Sequence, residues 1–165
     1  MKKVSIEKVT GLSGRPETLV RSYTRDNELT SIHLDITEVV DDTTDATVPS
    51  GSPDGETEEK VTTYSCTLVS IVSPSHLTIE DIVQIIYRND LWRYLKSDVL
   101  SVLKDAFEVT NYEDLTAILV AAKYSMADEL ACHRKALLGD PTEFDQLNAF
   151  VERCKDMARA IFPRS

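Results

Sequence analysis
The spacing of apolar residues changes once along the chain, at Pro74, and no other feature limits the possible architectures as strongly. Up to that point the period is two. Val4-Ser5-Ile6 begins an alternation, and Gly11-Leu12-Ser13-Gly14-Arg15-Pro16 interrupts it as a turn, because two glycines and a proline punctuate regular structure. Thr30, Ile32, Leu34 and Ile36 then fall on one face while Ser31, His33, Asp35 and Thr37 fall on the other, the pattern of a half-buried strand. Asp26-Asn27 separates residues 17–25 from 28–40. Both residues tolerate positive backbone angles, which predicts a tight two-residue hairpin. A third arm, 61–72, is rich in Thr, Val, Tyr and Ile and suits a pleated surface. An antiparallel sheet of three or four strands is expected within residues 1–72.

Beyond Pro74 the period is helical, and the starts are marked by capping chemistry. Thr78 stands three residues before Asp81, Thr110 before Glu113, and Ser125 before Asp128. Asp140-Pro141-Thr142-Glu143 joins a capping acid to a proline at the first helical position. These signals predict helices near 79–88, 90–107, 111–123, 126–138 and 141–161, with Gly139 ending the fourth in a left-handed conformation. The fold class is therefore α+β: an N-terminal sheet over 1–72 and a C-terminal bundle of about five helices over 73–165. Ile79-Glu80-Asp81-Ile82 through Ile86 resembles Tyr112-Glu113-Asp114-Leu115 through Leu119, a likeness that duplication and convergent capping explain equally well.

The net charge of -10 is concentrated. Residues 35–59 hold nine acidic and no basic side chains, whereas 1–34 are mildly basic and 60–165 mildly acidic. With no basic stripe there is no electrostatic footprint for a phosphate backbone, so no nucleic acid is expected as a partner. The acidic stretch 41–59 also contains Pro49, Gly51, Pro53 and Gly55 and is read as a mobile loop between two strands. Asp41, Asp42 and Asp45 offer oxygens for calcium, but the alternating spacing and terminal Glu of a calcium loop are missing. Met1-Lys2-Lys3 begins like a secretion signal without the apolar run that must come after it. The run 117–122 is far short of the roughly 20 residues that span a bilayer, so no membrane association is expected.

Reactive constellations are equally sparse. Cys66, Cys132 and Cys154 are widely spaced and are read as buried free thiols. His33, His76 and His133 have no neighbour at ligand spacing, so no metal or cofactor is assigned. Cys132 and His133 are adjacent, but neighbouring residues on a helix point about 100° apart and do not make a nucleophile-base pair. Glu80-Asp81 and Glu113-Asp114 are first-turn acids favoured by the helix dipole. No catalytic residue is assigned, and the chain is read as a non-enzyme.

What remains is apolar surface. Phe144, Leu147, Val151, Cys154, Ala158 and Ile161 recur at spacings of three and four, a seam widened by Phe150 and Met157. Packing within the chain is favoured over a partner helix, because three heptads are short for a free-standing coiled coil. Residues 91–107 include ten apolar side chains out of seventeen, led by Trp92, and their breadth suggests contacts on more than one side. Trp92 and the seam residues are the candidate interface.

The segment Asn111-Tyr112-Glu113-Asp114-Leu115 through Lys123-Tyr124-Ser125, followed by Asp128-Glu129, resembles small uncharacterised bacteriophage and prophage proteins of intestinal bacteria. The likeness extends to Val20-Arg21-Ser22-Tyr23 and on to Ile36, and to the closing helix from Asp140-Pro141-Thr142-Glu143-Phe144 through Cys154 to Ala160. That helix lacks a Trp usual in those relatives, and residues 73–107 look like an insertion. The resemblance implies a phage gene product encoded near structural or tail genes. Its expected role is a structural or virion-assembly protein that binds other phage proteins or itself, located in the host cytoplasm during assembly and in the virion. A phage regulator or anti-defence factor that sequesters a host protein through its acidic loop is the alternative.

Overall fold
The computed structural model describes residues 1–41 and 60–163. The chain divides into two compact units, Met1–Pro74 and Ser75–Ser165. In the first, strands β1 (Lys3–Leu12), β2 (Leu19–Tyr23), β3 (Glu28–Asp41) and β4 (Val61–Ser73) form one antiparallel sheet in the order β1-β4-β3-β2. One face is buried at the centre, where Thr30, Ile32 and Leu34 of β3 stand opposite Ile71, Val69 and Thr67 of β4. This is the face that the alternation in β3 identifies, as far as Leu34.

The alternation fails at the next residue. Between the pairs Leu34↔Thr67 and Thr37↔Ser65, β3 sets Asp35 and Ile36 against Cys66 alone, and Asp35 takes a left-handed φ of 51°. Such a bulge reverses the facing of the residues beyond it, so Ile36 leaves the face of Thr30, Ile32 and Leu34 that its spacing predicts for it. On the other side of β4, Thr10 and Gly11 stand against Ser65, with Gly11 at φ 72°. Gly11 is thus a bulge residue inside β1, and the interruption of regular structure begins only after Leu12. The two bulges flank neighbouring positions of β4 and both increase local twist. Beyond them, residues 37–41 of β3 are all exposed. Asp41 ends that strand opposite Val61, while Asp42, Asp45 and the rest of the acidic loop lie outside the described residues.

The hairpin between β2 and β3 also differs from expectation. Its loop has four residues, 24–27, closed by the Thr24 N–H donating to the Asn27 carbonyl at 2.8 Å and the Asn27 N–H donating to Thr24 Oγ1 at 3.1 Å. The threonine side chain supplies a second closure, and neither Asp26 nor Asn27 takes a positive φ.

The second unit contains α1 (Ile79–Arg88), a short 3-10 helix (Trp92–Tyr94), α2 (Ser97–Ala106), α3 (Tyr112–Ala121), α4 (Met126–Leu137) and α5 (Thr142–Ile161). Thr78 and Ser125 make reciprocal capping boxes with Asp81 and Asp128. The α3 cap is Asn111 rather than Thr110: its Oδ1 accepts the Asp114 N–H at 2.8 Å. Asp140 Oδ1 accepts the Thr142 N–H at the start of α5. Hydrogen bonding to the Thr142 side chain, together with this backbone bond, lowers the Asp140 pKa. The expected helix 90–107 is broken, with Lys96 extended ahead of α2. Leu91 and Leu95 are buried before the break and Val99, Leu100 and Leu103 after it. A segment this rich in apolar side chains buries them by changing direction, and the tertiary gain outweighs helical continuity.

Three helices end in the same way. After α4, the Gly139 N–H donates to the Ala136 carbonyl and the Asp140 N–H to the Lys135 carbonyl, with Gly139 at φ 101° as expected. The same pair of bonds closes α1 and α2, but the left-handed residues there are Asp90 at φ 59° and Glu108 at φ 54°. Each carries a Cβ where glycine is preferred and a negative charge where the helix dipole is negative. Glu108→Gly is therefore expected to raise stability by about 0.5–1 kcal/mol, net of the greater freedom of glycine in the unfolded chain. Urea denaturation of the purified variant checks this, and a destabilised variant would refute it.

Candidate functional site
The candidate interface residues divide by environment. Leu147, Cys154 and Ala158 are buried, while Phe144, Val151 and Ile161 are half-buried. Helix α5 lies against α2, α3 and α4, so much of this seam is covered by helices of the same chain. Trp92 is half-buried in an aromatic cluster: its ring lies 5.5 Å from Tyr87 and 5.5 Å from Phe150, and Tyr124 meets Phe150 at 5.7 Å. Phe150, only an extension of the seam in the sequence, is the hub of this cluster and is itself buried. These side chains chiefly hold the bundle together.

Potentially reactive groups are dispersed. Cys66, Cys132 and Cys154 are all free and buried. Burial raises the thiol pKa of Cys66 and pushes that of Cys154 up to about 12, which keeps both in the unreactive protonated form at neutral pH. Cys132 is buried, whereas the His133 ring beside it is exposed and meets the Phe144 ring at 4.8 Å. The two side chains occupy different environments, as their helical angle requires. Among the described residues, no group of three or more His, Cys, Asp or Glu is placed to hold a metal ion. No described helix is long and apolar enough to cross a membrane.

Among the described residues of the second unit, the most exposed large apolar side chains are on α4 or just past its end, at positions the sequence pattern does not single out. Met126, Leu130, Leu137 and Leu138 are 81%, 55%, 87% and 88% exposed. At about 100° per residue, Met126, Leu137 and Leu130 fall within about 40° of one another, and Leu138 lies about 80° beyond Leu130. The buried residue of this helix, Cys132, points the other way. A bond of 2.5 Å from Lys135 Nζ to Glu143 ties α4 to α5 and raises the Lys135 pKa. Lys135 and the buried Cys132 lie on the far side of the helix from the apolar residues, while His133, which packs on Phe144 of α5, falls beside them. Single exposed leucines are ordinary, but three large apolar side chains on one side of a short helix and a fourth just past its end, interspersed with the exposed His133 and Arg134, are a concentration of the kind that marks contact sites. The spacing 126, 130, 137 was readable; its outward direction was not, because only tertiary packing decides which stripe of a helix is covered. Comparison with known protein families, with curated proteins and with solved structures finds no match to the chain.

Proposed function
We propose that this chain is a phage structural or virion-assembly protein that acts through protein contacts rather than catalysis, in the host cytoplasm during assembly and in the particle. The observation that carries the reading is the set of exposed apolar side chains Met126, Leu130 and Leu137 on α4 and Leu138 just past it, whose exposure to water is unfavourable unless something covers it. The resemblance of residues 111–129 and of the closing helix to small phage proteins supplies the context. These side chains suit an apolar surface on another structural component.

The test has two parts. Mass spectrometry of purified virions should find the protein at a fixed ratio to a major structural component. A tagged chain should also recover an identified structural component from infected cells, whereas Leu130→Glu/Leu137→Glu, which alters only exposed positions and should leave the melting temperature nearly unchanged, should not. Absence from virions together with no structural component recovered would refute the proposal. The regulator reading rests on the nine acids of residues 35–59. It requires that deleting 41–59 abolish the effect and that the α4 double variant retain it.

A further inference from the structure
Away from α4, the second unit has a groove of about 670 Å³, lined from α1, α3 and the end of α2. Every charged side chain lining it is acidic: Glu80 in the first turn of α1, Glu108 just past α2 and Asp114 in the first turn of α3. Ala117 and Ala121 are exposed and lie four residues apart on one side of α3, next to Ile118. Small side chains there let another backbone approach closely. Glu80 and Asp114 complement the positive ends of their own helices. Glu108 stands instead just past the C-terminal end of α2. It combines a left-handed backbone with a negative charge at the negative end of α2, two costs that a glycine would avoid.

We propose that this groove receives a basic amphipathic segment of a partner protein, with its apolar side chains on Ala117, Ile118 and Ala121 and its lysines or arginines facing Glu80, Glu108 and Asp114. Charge complementarity selects this occupant. An acidic segment would meet three carboxylates and no cation in the lining, and a wholly apolar one would desolvate Glu80 and Glu108 without pairing them, whereas Asp114 Oδ2 already accepts from Asn111 Nδ2 at 2.8 Å. The groove lining includes none of Met126, Leu130, Leu137 and Leu138, so this inference stands or falls separately from the assembly reading.

The test is an NMR titration of the isotope-labelled full chain with a synthetic helix-forming peptide of leucine and lysine, alongside a leucine-glutamate peptide of the same pattern. The lysine peptide should shift amides of residues 77–80, 107–109 and 114–121 and bind more weakly at high salt. The glutamate peptide should not bind. Glu108→Gly, expected to be at least as stable as the parent, should weaken binding, and Glu80→Gln/Glu108→Gly should weaken it by roughly tenfold or more. Shifts confined to residues 35–59, equal binding of both peptides, or parental affinity in the double variant would overturn the proposal.

Discussion
Phe150→Ala is expected to destabilise the helical unit by about 3–5 kcal/mol, as truncation of a buried Phe does when its surroundings cannot collapse into the space. Three aromatic rings are centred on this side chain: Tyr87 at 6.1 Å, Tyr124 at 5.7 Å and Trp92 at 5.5 Å. Two are edge-on and one is tilted, arrangements that add about 0.5–1.5 kcal/mol per pair beyond area burial. The nitrogen of Lys123 lies 5.1 Å from the ring centre and the guanidinium carbon of Arg153 5.9 Å, smaller contributions because both side chains reach solvent. Trp92 is the only tryptophan, so its fluorescence tracks the cluster directly during chemical denaturation. Phe150→Leu should lose considerably less than Phe150→Ala. A loss below about 1 kcal/mol for the alanine variant would mean that Tyr87, Trp92 and Tyr124 close over the gap and that the cluster does not organise the bundle.

Phe150 also shows how far the sequence reaches. Its position next to the Leu147–Val151–Cys154 spacing places it near the covered stripe of α5, but nothing local indicates that Tyr87, Trp92 and Tyr124, from three separate segments, converge on it. Features set within a few residues were legible. The Thr78 and Ser125 capping boxes and the Gly139 terminus each need only a side chain and the backbone three to five positions away. Features that cost local energy were not. Asp35, Asp90 and Glu108 adopt left-handed backbone without being glycine or asparagine, so the bulge in β3 and the end of α1 carried only the weak signal of an aspartate and the end of α2 carried none. The interruption at Lys96 has no proline or glycine to announce it, and it results from the burial of Leu91 and Leu95 on one side and Leu100 and Leu103 on the other. The exposed apolar side chains of α4 and the groove were hidden for the same reason, since exposure is decided by what the remaining helices cover.

In the sheet, Arg21→Ala is expected to be strongly destabilising. Glu28 begins β3 with its side chain only 2% exposed, and Arg21 Nε on the neighbouring β2 donates to its Oε1 at 2.8 Å while remaining 21% exposed. Thr30 Oγ1 donates to the same oxygen at 3.1 Å. The register pairs Arg21 with Thr30 and Tyr23 with Glu28, so the two charges are diagonal neighbours on one face, a separation that a long arginine spans. Removing Arg21 leaves a buried carboxylate without this cation. The cost of breaking a fully buried pair is about 3–5 kcal/mol, and the partial exposure of Arg21 brings the expectation to about 2–3 kcal/mol. The converse is more informative. A pair costly to break need not be a net source of stability, because both charges have also been withdrawn from water. Arg21→Met/Glu28→Leu, which replaces both with apolar side chains, is therefore expected to recover most of the stability lost in Arg21→Ala. Denaturation of the parent, Arg21→Met, Glu28→Leu and the double variant yields the coupling energy directly. If the double variant is as unstable as the sum of the singles, the pair has no coupling and the stability of this end of the sheet depends on the packing of the side chains rather than on their charges.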